Sequence, residues 1–307
     1  MLIDFHSSAP VAGDLDVQWV HGLRSKQHDM APALQVHAYD PHTYLLRQDR
    51  KVSFEAPFLY LLFGNERALL VDTGATKDAA RFPLRVTVDG LVEQWLAENP
   101  RDSYGLVVAH SHGHGDHVAG DGQFAGRPNT TVVDRTIESV QSFFGFSSWP
   151  DDVVQLDLGG RVLDVTGSPG HHPAAITIYD PWSGFLLTGD TVYPGRLYAR
   201  DMPAFVASLD RMVEFAQSRK VSNVMGCHIE MSRTPRHDYP IGAADQPDER
   251  ALQMTVGQLT AVRDAAASVA QRPGVHVFDD FIIYNGTCRW GLFKLMARGL
   301  ASRVLRH

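Results

Sequence analysis

The segment that most limits what this chain can fold into is Ala109-His110-Ser111-His112-Gly113-His114-Gly115-Asp116-His117. It follows Gly105 to Ala109, a short apolar run suited to a buried strand, so four histidines and a carboxylate are expected where a strand ends and glycines break the regular backbone. In extended backbone residues i and i+2 point the same way, which lets His112 and His114 offer two imidazoles to one cation. Asp116 and His117 lie past the bend at Gly115 and can turn to a second position. Neutral imidazoles and carboxylates are the usual donors for zinc or a similar divalent ion. A His-rich loop can also be merely solvated, but a carboxylate set among closely spaced histidines argues against that reading.

Around this segment the pattern alternates strands and helices. Leu34 to Tyr39 and Thr43 to Arg47 read as strands, and Phe58 to Phe63 with Ala68 to Val71 reads as a hairpin turning at Gly64-Asn65. Val88, Leu91, Val92, Trp95 and Leu96 recur at helical spacing. Thr130 to Val133 is a further strand, and Ile137 to Phe144 a helix stopped by Gly145. Hairpins turn at Gly159-Gly160 and at Asp180 to Gly184, the second running into Thr188-Gly189-Asp190. Phe205, Leu209, Met212, Val213 and Ala216 mark an amphipathic helix capped by Asp201 with Pro203 in its first turn, and Val221 to Met225 returns as a strand. Beyond His228 the sequence predicts a proline-bearing loop, a helix from about 248 to 270, and one strand over 275–284. The tail from Arg289 to His307 is basic, with an apolar stripe of Leu292, Phe293, Met296, Leu300 and Val304; a membrane-surface helix has this pattern, but the tail is expected to dock on the chain's own core or on a sister subunit in a homodimer. The expectation is one domain over 1–307, with a core at about 34–230 and a C-terminal extension at about 231–307.

Residues 112–117 spell His-x-His-x-Asp-His after a strand, and in this the chain resembles the metallo-β-lactamase-fold hydrolases. Further matches stand at the family's places: Pro169-Gly170-His171, Leu187-Thr188-Gly189-Asp190, Gly226-Cys227-His228, and the early Val71-Asp72-Thr73-Gly74. The resemblance covers roughly residues 58 to 230 and implies an α/β fold, the αββα four-layer sandwich. It implies that His112, His114 and His171 hold one metal, that Asp116, His117 and His228 hold a second, that Asp190 bridges both, and that Asp72 braces the metal loop from behind. His110, His172 and Cys227 sit beside these positions and are expected to orient or pack, with Cys227 pointing away from the site.

Two divalent ions sharing a carboxylate lower the pKa of a shared water, so the implied chemistry is hydrolysis, with zinc the leading ion and iron or manganese the alternatives. Asp116 would orient the nucleophile and relay a proton. Tyr193, three residues after Asp190, resembles a tyrosine of the N-acyl homoserine lactonases that bonds the substrate carbonyl; packing at the rim of the site is the other reading. Asp190 stands where zinc β-lactamases with a second-site cysteine carry that cysteine, which argues against a β-lactam. Esters, lactones and thioesters remain, the last kept in the set by Arg289 and Lys294 of a tail that does not otherwise match glyoxalase II enzymes. A mononuclear-iron persulfide dioxygenase of the same fold and a phosphodiesterase are the competing readings.

Composition agrees with a soluble enzyme acting on small molecules. A net charge of -7 offers no basic surface for nucleic acid, and 44% hydrophobic residues in a chain of 307 suffice for a large core. No apolar run approaches the roughly 20 residues of a membrane span. The two cysteines, Cys227 and Cys288, are read as free thiols in a cytoplasmic protein, and no export signal is visible at the N-terminus.

Overall fold

The computed structural model describes residues 1–23, 30–286 and Leu295. In chain order its elements are β1 (Leu34–Asp40), β2 (Thr43–Gln48), β3 (Phe58–Phe63), β4 (Arg67–Val71), α1 (Leu84–Glu98), β5 (Gly105–Ala109), α2 (Gly115–Val118), β6 (Thr130–Val132), α3 (Ile137–Phe144), β7 (Val153–Asp157), β8 (Val162–Gly167), β9 (Ile176–Asp180), β10 (Phe185–Gly189), β11 (Arg196–Ala199), α4 (Met202–Ser218), β12 (Asn223–Gly226), β13 (Gln253–Met254), α5 (Val256–Val269), β14 (Gly274–Val277) and β15 (Ile282–Asn285). The strands form a sheet ordered β1-β2-β3-β4-β5-β6, a second ordered β13-β12-β10-β9-β8-β7, and a small third one ordered β11-β15-β14.

The unbroken apolar runs of β3 and β5 follow from the layering. Side chains alternate across a strand, and both faces of the first sheet are covered. Phe58, Tyr60, Leu62, Val107 and Ala109 face inward to meet Val165, Ile178, Phe185 and Leu187 of the second sheet. Leu59, Leu61, Phe63, Leu106 and Val108 face outward against Leu84, Val88, Val92 and Trp95 of α1. On the outer face of the second sheet, Tyr179, Leu186 and Val224 pack on α4 and α5. Helix, sheet, sheet and helix make the αββα sandwich.

The expected hairpins and helices are present, and three features differ. The helix expected from 248 starts at Val256: Thr255 Oγ1 accepts from Gln258 N (3.1 Å) while Gln258 Oε1 accepts from Thr255 N (2.9 Å), and this capping box fixes the start. The preceding residues, helical by propensity, are claimed elsewhere, with Gln253–Met254 paired to β12 and Glu249 bonded to Arg47 at 2.6 Å. The single strand expected over 275–284 is instead the hairpin β14/β15, turned at Phe278 to Phe281. Strand β11, absent from the sequence reading, pairs in parallel with β15. The tail helix expected over 289–307 lies outside the described residues except Leu295, which is helical and packs with Met231, Ile282 and Tyr284. Cys288 is also outside them; Cys227 is a free, buried thiol. No described helix is long and apolar enough to cross a membrane.

Candidate metal centre

Six of the implied ligands and the brace Asp72 leave the carboxyl ends of four strands: β4 and β5 run parallel in one sheet, β10 and β12 in the other. Asp72 follows β4, the histidine loop β5, Asp190 β10 and His228 β12, while His171 sits on the β8–β9 connection. Strand ends from both sheets thus meet at one end of the sandwich. At His114 the backbone is still extended; the single helical turn α2 begins next and swings Asp116 and His117 to the other side. Two glycines are required here. Gly170 has φ 137°, and a Cβ on it would lie 2.4 Å from the backbone of Phe205; one on Gly189 (φ 53°) would lie 2.7 Å from Ser111 Cβ.

The side chains gather into two clusters. His112 Nε2 and His171 Nε2 stand 2.8 and 2.9 Å from His114 Nδ1. In the second, His117 Nε2 and His228 Nε2 stand 3.5 and 3.4 Å from Asp116 Oδ2. Asp190 lies between them. Its Oδ2 is 3.9 Å from His112 Nε2 and 3.7 Å from His171 Nε2, and its Oδ1 is 3.6 Å from His117 Nε2 and 3.4 Å from His228 Nε2. Donors about 2.0–2.1 Å from a tetrahedral ion lie about 3.3–3.4 Å from one another, so the spacing fits a cation within each cluster. The chemistry fits as well: Asp190 Oδ1 is buried with no hydrogen-bond partner, and nitrogens facing nitrogens cannot all be satisfied by protons.

Behind the second cluster lies Asp72, fully buried at φ 69°. Its Oδ1 accepts from Ser111 N (2.7 Å), and its Oδ2 meets Ser111 Oγ and His117 Nδ1, each at 2.8 Å. The Cys227 thiol donates to the same Oδ2 at 3.3 Å, so this side chain does not point away from the centre as expected but joins its support. His110 lies beside this support, with Nε2 2.8 Å from Asp121 Oδ1, which also accepts from Thr73 Oγ1.

Charge divides the clusters. Burial, reinforced by the neighbouring imidazoles, lowers His112 well below the ordinary histidine value and His114 to about 4, and burial also lowers His171, leaving lone pairs free. Burial opposes protonation of His117 and His228 too, but the carboxylates outweigh it, Asp72 and Asp190 raising His117 well above its usual value and Asp190 and Asp116 raising His228 to about 9. Burial would raise Asp116 and Asp190, yet the facing imidazoles hold both well below the carboxylate range. The first cluster therefore offers neutral imidazoles directly, whereas in the second the carboxylates are balanced by protons on His117 and His228, which a cation would displace.

The profile of the metallo-beta-lactamase superfamily matches residues 54–220, more than half of the chain. The chain belongs to that superfamily. Within it, a hydroxyacylglutathione hydrolase of Aeromonas hydrophila is 27% identical over 157 residues, covering 50% of this chain and 58% of that protein. One of Pseudomonas fluorescens is 30% identical over 133 residues, covering 42% and 50%. The human acyl-coenzyme A thioesterase MBLAC2 is 25% identical over 204 residues, covering 56% and 72%. The chain thus spans between half and 72% of the length of these relatives. Among solved structures, TMB-1 aligns at a TM-score of 0.49 with 16% identity, over 77% of this chain and 100% of that one.

The Tyr193 hydroxyl is turned to protein partners. The residue is 2% exposed, and its hydroxyl donates to Arg196 O at 2.5 Å, with Glu230 Oε2 at 3.2 Å. Its ring packs against His228 at 5.6 Å between centroids. The network around it was not foreseen: Glu230 Oε2 accepts from Arg196 N (2.7 Å), and the Arg196 guanidinium reaches Asp238 Oδ2 (3.0 Å) and Tyr239 O (2.8 Å), tying the loop after His228 to β11. Glu230, two residues beyond His228, was the available signal. The carbonyls of Glu55 and Tyr198, which meet His228 Nδ1 (3.0 Å) and His171 Nδ1 (3.1 Å), had none, because any residue supplies a carbonyl.

Proposed function

We propose that this chain is a hydrolase using two divalent metal ions, zinc first among them, to cleave the carbonyl bond of an ester, lactone or thioester. The carrying observation is Asp190, whose two carboxylate oxygens face one imidazole cluster each. His112, His114 and His171 would hold one ion, Asp116, His117 and His228 the other, and Asp190 both. When bound, such ions supply a hydrolytic nucleophile from water near neutral pH and polarise a carbonyl. The protein groups do the rest. Asp72 fixes the tautomer and direction of His117. Asp116 is the more accessible carboxylate, with 23% of its side-chain surface exposed against 9% for Asp190, and it would take a proton from water and pass it to the leaving group. Among the three substrate classes the thioester is favoured, since hydroxyacylglutathione hydrolases and an acyl-coenzyme A thioesterase stand among the relatives.

The test is a hydrolysis panel of thioesters, lactones, carboxyl esters, phosphodiesters and β-lactams with metal-loaded protein, together with metal analysis. Thioester cleavage with two ions per chain is the expected result. A single iron per chain with oxygen uptake would overturn the reading in favour of dioxygenase chemistry, and turnover untouched by Asp190→Ala would remove the site itself.

A further inference from the structure

An imidazole that ligates a cation through one nitrogen is normally held by a partner on the other, and that partner sets its direction and affinity. Four of the five imidazoles have one. His112 Nδ1 is 3.2 Å from Ser111 Oγ, His117 Nδ1 is 2.8 Å from Asp72 Oδ2, and the carbonyls of Tyr198 and Glu55 meet His171 and His228. His114 is the exception. It turns Nδ1 into the cluster, and its Nε2 is buried with no hydrogen-bond partner.

Three rings stand nearly perpendicular to His114. Those of His112 and His171 are the cluster mates approached through Nδ1, and the third is His172, at 82° with centroids 5.0 Å apart. His172 is itself pinned. Its Nδ1 accepts from Ala174 N at 3.1 Å, and a Cβ on Gly113 would come within 3.2 Å of its Cε1, so the ring fills the space this glycine leaves. Because Nδ1 accepts, the proton of the neutral ring is on Nε2, and neither nitrogen is free to accept from His114. What His172 can offer is its π face, which takes an N–H more weakly than a carbonyl does.

We propose that His172 is the positioning residue of His114, its ring standing in for the acceptor that the other four imidazoles have and holding Nδ1 of His114 toward its cation. The inference rests on the two-cation reading above. It makes His114 the most weakly tethered donor, and its cation the one more sensitive to what lies behind the ligands.

The test is competition of zinc with a chromophoric chelator, and the visible spectrum of the cobalt form, for the wild type and for His172→Ala, His172→Leu and His172→Phe. Loss of an outer partner typically costs about 10–100-fold in metal affinity. We expect His172→Ala and His172→Leu to weaken one of two equivalents about tenfold and to shift the cobalt bands, leaving the other equivalent unchanged. His172→Phe, which keeps an aromatic face, should return to within about threefold of wild type. If His172→Ala does not fold, the Leu and Phe variants, which keep the bulk, carry the comparison. Equal affinities in all variants, or equal weakening in Phe and Leu, would overturn the proposal. Failure of the underlying reading is distinguishable: there the wild type binds no zinc and His114→Ala changes nothing.

Discussion

At the Phe63 end of β3 the two sheets are joined by one guanidinium, and at the Phe58 end they are joined by imidazoles and carboxylates that face each other. Arg161, 1% exposed, follows the Gly159-Gly160 turn and places all five of its N–H groups. Nη1 donates to His42 O (2.7 Å) and Phe63 O (3.1 Å), Nη2 to Thr43 Oγ1 (2.8 Å) and Asp180 Oδ2 (2.5 Å), and Nε to Asp180 Oδ1 (3.1 Å). Every charge there is matched by protein groups. At the other end Asp190 Oδ1 and His114 Nε2 are buried without partners, and carboxylates hold imidazoles charged. Both ends clamp sheet to sheet, but only one is complete in itself. The difference separates a structural closure from a reactive one: a buried polar cluster that satisfies itself has nothing left with which to bind.

That contrast can be broken in several ways. The largest effect is expected from Asp190→Ala, which should abolish turnover and reduce bound metal below two per chain, measured by elemental analysis, while unfolding in urea moves far less. Arg161→Met should do the reverse. Removing one partner of a buried pair strands the other charge, so a loss of about 3–5 kcal/mol is expected in urea unfolding, with turnover per folded molecule unchanged. Adding Asp180→Leu should recover part of that loss. Stability unaffected by Arg161→Met would show that the guanidinium does not bind the sheets together.

Acid sharpens the comparison at smaller scale. Burial would raise the Asp180 carboxyl, but Arg161 and Ser183 hold it below the usual carboxylate value. A group whose folded value is depressed contributes stability above its unfolded value, about 3.9, and loses that contribution as pH falls through the folded value. The wild type should therefore lose stability below about pH 4 more steeply than the Arg161→Met/Asp180→Leu pair, as followed by thermal melting in metal-free protein. The smallest effect belongs to Tyr193→Phe. It deletes one hydrogen bond, for about 1 kcal/mol, and should slow all substrates of the panel alike; a loss confined to lactones would return the hydroxyl to the substrate side.

The legibility of the molecule divides along the same line. The hairpins, the helix capped at Asp201 (side chain accepting from Ala204 N at 3.0 Å) and the stop at Gly145 (φ 82°) were readable because local backbone chemistry fixes them. The seven implied ligands were readable because their spacing after strands carries them to one place. The capping box at Thr255 was equally local, yet the helical propensity of the residues before it hid the true start.

What the sequence determined by itself is what depends on short range: the unbroken apolar runs of doubly buried strands, the turns, and the donor types of the histidine loop. Tertiary structure alone decided that β11 pairs with β15, that Tyr193 spends its hydroxyl on a carbonyl, that Cys227 turns toward Asp72, and that Arg161 meets Asp180 across the sandwich. Those outcomes rest on which buried polar groups find one another, and a buried donor is satisfied by whatever acceptor the packed sheets bring within about 3 Å, a distance that no local pattern encodes.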